Sequence, residues 1–180
     1  MTPEYQLVEQ LKSTENIDLA FKELVSLYKE RLYWHIRNIV KSHDDADDVL
    51  QNTFIKVYKN INSFKGDSKL FSWMYKIATN EAITFINKNA KRLQISNEEA
   101  QQLAIEKLTA DVYFEGEDIQ LTLQKAIATL PQRQQLVFNM KYFEKLKFKE
   151  MADILETSEG ALKASYHIAI KKIEKYLTNN

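Results

Sequence analysis

Four aspartates crowd into five positions, at Asp44, Asp45, Asp47 and Asp48. One or two carboxylates at a helix start complement the partial positive charge there, each contributing about 0.3–1 kcal/mol. Four repel one another unless a cationic partner meets them. On a helix opening here with Asp44 or Asp45 as its cap, Asp48, Gln51, Asn52 and Ile55 fall at i, i+3, i+4 and i+7, with Asp45 a turn earlier. This face lies away from an apolar stripe of Leu50, Phe54, Val57, Tyr58 and Ile61. Its mixture of carboxylate, amide and aliphatic groups suits the gripping of another protein through basic side chains.

A second surface follows. A loop around Gly66 carries Ser63, Lys65 and Lys69. The next helix, expected over 70–89, buries Leu70, Met74, Ile77, Ala78, Ala82 and Phe85 at about 100° per residue. Its other side then gathers Trp73, Lys76, Thr79, Asn80, Ile83 and Asn87 beside Lys69. Aromatic rings stack on unpaired bases, ammonium groups track phosphates, and amides bond base edges. Residues 65–92 hold six basic and two acidic side chains, a balance that favours a polyanion. Trp73 fits either stacking on bases or the rim of the core, and Tyr75 is expected at that rim.

The third surface is close to the C-terminus. Phe148, Met151, Ala152 and Leu155 share one face of a short helix, Glu156 and Thr157 form a turn, and Ser158 is placed to cap a second helix. In that second helix Leu162, Tyr166, Ala169 and Ile173 step by four, three and four and form its buried stripe. Lys163, Ser165, His167, Ile168 and Lys171 are left facing outward. Such a pair is a helix-turn-helix, whose second helix enters the major groove, reads base edges and neutralises phosphates with its lysines. The spacing also fits a plain helical hairpin with solvated lysines.

Enzyme chemistry finds little support. The three histidines, His35, His43 and His167, are far apart, and neither a metal-binding His/Glu spacing, a phosphate-cradling glycine loop nor a nucleophile elbow occurs. Cysteine is absent, which excludes disulfides and thiolate metal sites and fits a reducing cytoplasm. We therefore expect no catalytic residue, metal or cofactor. The first ten residues lack the basic start and apolar run of a signal peptide. No apolar stretch is long enough to insert in a membrane.

These surfaces need helices to hold them. With 3 Gly and 2 Pro in 180 residues, the chain lacks the turn formers that many strands require. An all-α fold is expected: a short helix from Pro3, a second after Asn16 with Leu19, Leu24, Leu27, Leu32, Ile36 and Val40 inward, the two helices above, and four more after Asp118. The net charge is zero but unevenly placed. Residues 93–119 hold one basic and seven acidic side chains between two mildly basic ends, which suggests lobes with different partners. The expected organisation is two small helical domains, 1–92 and 120–180, joined by an acidic linker, 93–119. By composition the linker is a solvated tether, with some helical character.

The run L-P-Q-R-Q-Q-L-V-F-N-M-K-Y-F through A-L-K-A-S-Y-H-I-A-I-K-K-I resembles region 4 of the extracytoplasmic-function (ECF) sigma factors, in the sigma-70 family of RNA polymerase sigma factors. Asp45, Ala46, Asp47, Asp48, Gln51, Thr53 and Phe54 are similar to the polymerase-binding helix of the same family. Phe64, Gly66, Phe71, Trp73, Ile77, Ala78 and Asn80 are similar to regions 2.3 and 2.4 of the family, which act on the minus-ten element. The resemblance implies that Asp48, Gln51, Asn52 and Ile55 grip a coiled coil of the polymerase β′ subunit. It further implies that the C-terminal lobe docks on the β flap while its helix-turn-helix reads the minus-thirty-five element. The N-terminal lobe would open the minus-ten element and hold a flipped base near the 63–69 loop. An anti-sigma factor is a further implied partner, and the linker would thread toward the polymerase active site. Departures stand at Asn52, where Glu is usual, at Thr79, Ser165 and Ile168, where Arg is common, at Thr84 and Asn87, where Asp and Arg are common, and at Glu156, where Gly is common. A stand-alone helix-turn-helix regulator is the alternative. It would need a dimer surface and a palindromic operator.

Overall fold

The computed structural model describes residues 3–13, 15–110 and 118–179. Its elements are α1 (Pro3–Lys12), α2 (Ile17–Val40), α3 (His43–Asn60), a 3-10 turn (Ile61–Ser63), α4 (Leu70–Leu93), α5 (Asn97–Ala110), α6 (Asp118–Ala128), α7 (Gln132–Tyr142), α8 (Phe148–Leu155) and α9 (Glu159–Asn179). Among the described residues there is no strand, as the scarcity of breakers foretold.

In the N-terminal lobe α2, α3 and α4 pack pairwise, with α1 laid on α2. Leu24, Leu32, Ile36 and Val40 meet Ala46, Val49, Leu50, Phe54 and Val57, and both sets meet Leu70, Met74, Ala78 and Ala82. Two residues expected inside α2 are outside: Leu19 and Leu27 are exposed, beside Trp34. At about 100° per residue Leu19 falls on the far side of the helix from Leu24 and Leu32, while Leu27 lies on the flank of their stripe, and Ala20 and His35 take the inner places. Tyr58 is likewise at the surface, edge-on to Phe21 with ring centroids 5.0 Å apart. The cap of α3 is Ser42, whose Oγ accepts the Asp45 N–H at 3.4 Å, so Asp44 and Asp45 occupy the first turn instead of capping it. Asn16 stands at the cap position of α2 but makes no side-chain cap bond.

In the C-terminal lobe Ala126, Ile127, Leu130, Phe138, Ala169 and Ile173 form a core of their own. Leu130-Pro131 ends one helix and opens the next, since proline cannot extend a helix but suits its first turn. On α8 the buried residues are Met151 and Ile154, while Phe148, Ala152 and Leu155 are half-buried around them. A Cβ at Gly160 would meet open space, so this glycine is not demanded by crowding.

The larger apolar cluster does not stop at the first lobe. It runs on through Leu136, Val137, Met140, Leu146, Met151, Ile154 and Leu162, so the lobes share one contiguous core along the contact of α4 with α8. The expected tether carries a 14-residue helix, α5, packed against α4 and α6. Residues 111–117, which hold Asp111, Glu115 and Glu117 of the acidic segment, lie outside the described residues.

Lys41 ends α2 in the left-handed conformation (φ 63°) with only 7% of its surface exposed. Burial, reinforced by Arg37, lowers its pKa from 10.5 to about 8. Between those two values the unfolded chain binds more protons than the folded one, so folding is favoured increasingly as pH rises through that window. Lys41→Met keeps the apolar stem and removes the ammonium. We expect it to add about 1–2 kcal/mol at pH 7, a gain that shrinks between pH 8 and 10.5. Urea unfolding at a series of pH values measures this.

Candidate protein and nucleic-acid interfaces

The acidic face of α3 forms as the spacing implies. Ala46, Val49, Leu50, Thr53 and Phe54 turn inward, so Asp48, Gln51, Asn52 and Ile55 must turn out, and all four are exposed. Ile55 is 45% exposed, an aliphatic group set among polar ones. Asp45 sits at the edge of this patch, partly buried, with its carboxylate 3.6 Å from Lys107 of α5. Behind the patch Lys56 pairs with Glu81, tying α3 to α4.

The loop before α4 is held from two sides by α1, which the sequence did not signal. Lys12 donates to the Phe64 carbonyl at 2.7 Å, and Glu4 accepts the Leu70 N–H at 2.9 Å, capping α4 from outside its own sequence. Gly66 takes a φ of 82°, a conformation that side chains disfavour. Ser63, Lys65 and Lys69 are exposed around it. Trp73 is half-buried, its ring 5.4 Å from that of Phe64, so one flank of the indole rests on the core. Tyr75 is fully inside, donating to the Arg31 carbonyl at 3.1 Å, and burial together with Glu144 raises its pKa.

Along α4, Asn80 and Asn87 are exposed and Lys76 and Ile83 half-buried. Thr79 departs from expectation: it is 3% exposed, with its Oγ1 2.7 Å from the Tyr75 carbonyl and 2.8 Å from His35 Nε2. The pattern placed it outward because its partner lies 44 residues away, on α2. His35 Nδ1 in turn donates to Glu144, at 3.0 and 3.1 Å from its two oxygens. Thr79 is therefore part of a buried polar chain that ends in the C-terminal lobe, and cannot touch nucleic acid in this arrangement.

Two more carboxylates of the C-terminal lobe reach this face. Lys69 donates to Glu150 at 3.1 Å and Lys76 to Glu156 at 2.6 Å. Glu150 also accepts the Lys147 N–H at 3.0 Å. Burial pushes its carboxyl up, but this bond and the Lys69 ammonium outweigh it, and the net pKa is lowered. Between the lobes lies a cleft of about 730 Å³, lined in part by Asn80, Ile83, Leu136, Asn139 and Leu155.

In the helix-turn-helix, α8 ends on Glu156 in the left-handed region (φ 50°), where its N–H bonds the Ala152 carbonyl. This turn redirects the chain into α9, and Ser158 Oγ accepts the Ala161 N–H at 3.2 Å. Leu162, Ala169 and Ile173 are buried and Tyr166 packs between Phe138 and Phe148. Lys163, His167, Ile168 and Lys171 are exposed and Ser165 is half-exposed. Lys163 lies over the Phe148 ring at 5.8 Å and 4.0 Å from Glu159.

A two-lobed helical protein with an acidic patch, a basic-aromatic helix and a helix-turn-helix belongs to the class that joins a protein machine to DNA. The Sigma-70 region 2 family matches residues 24–92, and Sigma-70, region 4 matches residues 120–173. The chain belongs to the sigma-70 family, in its ECF subfamily. It is 27% identical to the ECF RNA polymerase sigma factor SigW of Bacillus subtilis, over 97% of this chain and 98% of that one. It is 26% identical to the RNA polymerase sigma-H factor of Pseudomonas aeruginosa, over 96% and 92%. In fold it is similar to CnrH, solved in complex with the cytosolic domain of CnrY (TM-score 0.71, 18% identity, 98% of both chains). It is likewise similar to the sigma factor RpoE of Bartonella quintana, solved with the anti-sigma factor NepR (TM-score 0.66, 19% identity, 88% of this chain and 96% of that one).

The Ser158 cap serves the first turn of α9, where the exposed surface begins. Ser158→Ala should cost about 1 kcal/mol. Amide exchange should quicken from Glu159 to Leu162 while the α2–α4 core keeps its protection.

Proposed function

We propose that this chain is a sigma factor that joins core RNA polymerase and directs it to a set of promoters. The observation that carries this reading is the paired match: region 2 and region 4 fall in order on two lobes, each presenting an outward face with fitting chemistry. Residues 1–92 act as the polymerase-gripping and minus-ten lobe, 93–119 as linker, and 120–180 as the minus-thirty-five lobe. Asp48, Gln51, Asn52 and Ile55, flanked by Asp45, meet the β′ coiled coil. Exposed carboxylates attract its basic side chains, and Ile55 adds apolar area at the centre.

On DNA, Lys65, Lys69 and Lys76 neutralise phosphates, Trp73, Asn80, Ile83 and Asn87 border the opened strand, and the 63–69 loop receives the flipped base. Offsetting the few kcal/mol of unstacking falls to stacking and hydrogen bonds at that site. Ser158, Lys163, Ser165, His167, Ile168 and Lys171 face the upstream element, while the rest of the C-terminal lobe rests on the β flap. With two lysines among them, the phosphate term is small, so binding to duplex alone is weak and salt-sensitive. An anti-sigma factor is a partner of the same chain. The protein works in the cytoplasm, where polymerase and DNA are, and performs no chemistry of its own.

Run-off transcription with core polymerase on a genomic promoter library tests the whole reading. Asp48→Arg with Gln51→Ala should abolish co-purification with core polymerase; wild-type yield would remove α3 as the grip. Lys163→Glu should lower transcription from cognate promoters about tenfold while leaving polymerase affinity unchanged. Unchanged transcription would remove the α9 surface from promoter recognition.

A further inference from the structure

The C-terminal half of α2 holds a group of cations that none of the three proposed surfaces uses. Trp34, Arg37 and Lys41 fall at i, i+3 and i+7, so they share one face of the helix and its cap. That face borders a cavity of about 520 Å³, to which Arg31 and His43 also contribute and which Phe143 and Glu144 line from the C-terminal lobe. Arg37 and Lys41 are both buried. Among the described residues the Lys41 ammonium makes no hydrogen bond or ion pair, and the neighbouring charge that acts on it, Arg37, has the same sign. Neither carboxylate at the cavity is placed to neutralise it: Glu144 is held by His35, and Glu30 is exposed. Arg31, with its guanidinium 4.3 Å from the centre of the Phe71 ring, adds a third cation on the exposed side. Beside them Trp34 is exposed, edge-on to Tyr33 with ring centroids 5.3 Å apart.

We propose that this cavity binds a nucleoside polyphosphate, with its phosphates held by Arg37 and Lys41 and its base laid on Trp34. A cation at a helix C-terminus complements the helix dipole, but that effect requires no burial. A buried ammonium without a counter-charge weakens the fold, which is why Lys41→Met is expected to stabilise it. The charge that balances it must then come from a ligand. Phosphate oxygens suit both groups, since guanidinium and ammonium form their strongest hydrogen bonds to such anions. The exposed indole supplies the flat apolar face on which a base stacks. The volume lies in the range of small-molecule sites. Because the two cations are buried, only a group that enters the cavity can meet them. A terminal polyphosphate carries several charges on one flexible chain and can enter; a phosphate inside a nucleic-acid strand carries one and is tethered on both sides. The site stands apart from α4 and α9, so it does not depend on their role in reading a promoter.

Trp73→Phe leaves Trp34 as the one tryptophan of the full chain, and its fluorescence then reports on the cavity. ATP and GTP, added without divalent cations, should quench it saturably with half-effect below about 1 mM. Lys41→Met, checked for folding by urea unfolding, should weaken binding about tenfold, whereas Lys22→Met, which removes the same charge from the other end of α2, should leave it unchanged. By calorimetry Trp34→Ala should weaken ATP about tenfold and leave inorganic tripolyphosphate unaffected. Should Lys41→Met fail to fold, Trp34→Ala still carries the test, because that side chain is exposed. Absence of saturable binding by either nucleotide overturns the site, as does a folded Lys41→Met that binds as tightly as the unaltered chain. Tripolyphosphate binding as tightly as ATP overturns the assignment of a nucleoside. A 20-nucleotide single strand that displaces ATP, and whose own binding falls in Lys41→Met and in Trp34→Ala, overturns the free nucleotide in favour of a polynucleotide.

Discussion

Everything the N-terminal lobe presents is set by which side of α4 is buried. Leu70, Met74, Ala78 and Ala82 are all fully inside, and the two alanines let α2 and α3 approach the helix backbone closely. A helix with that face committed has no freedom to choose what the opposite side shows. Lys69, Lys76, Asn80 and Ile83 are therefore outward by default, and the loop before them is fixed by Glu4 and Lys12 of α1. The acidic face of α3 follows from the same core, because Val49, Leu50 and Phe54 leave Asp48, Gln51, Asn52 and Ile55 no other direction. Two surfaces of opposite chemistry are held by one set of apolar contacts, so a partner of each can be engaged in a fixed mutual geometry.

Much of this was legible in the sequence, and the reason is local. Two of the boundaries after Asp118 are marked by Leu130-Pro131 and by the Glu156-Thr157 turn, so each has a chemical cause within two or three residues. The α9 stripe of Leu162, Ala169 and Ile173 and the α3 patch needed only periodicity. Approximate helical spacing failed on the long helix α2: it admitted Leu19, which the 100° step puts opposite the stripe, and Leu27, which lies on its flank and is left outside by the packing. Capping failed where candidates competed. Ser42 precedes two aspartates that are equally good caps, and only the backbone path decides among them.

The remainder was illegible because its partners are distant in the chain. Thr79 reads as one more outward polar residue until His35 is placed beside it, and His35 reads as an isolated histidine until Glu144 is brought to it. Glu150 and Glu156 carry no signal at all in the sequence; one sits at a helix start and the other in a turn, both ordinary places for acids. Their meaning comes from Lys69 and Lys76, about 80 residues away. The zero net charge hid the same fact, since the acids that balance the basic faces are partly the ones that cover them.

Magnitudes decide how such a cover can behave. Exposed ion pairs contribute about 0–1 kcal/mol each, whereas burying one Met or Ile side chain contributes about 1.5–3 kcal/mol. The apolar contact of α8 with α4 is then the larger part of the closed state, and the charges select which surface α8 rests on. Removing a pair therefore changes the direction of the contact more than its strength. Lys69 stays 64% exposed in its pair with Glu150, so water screens the attraction there, and Met151 and Ile154 hold α8 against α4 without it.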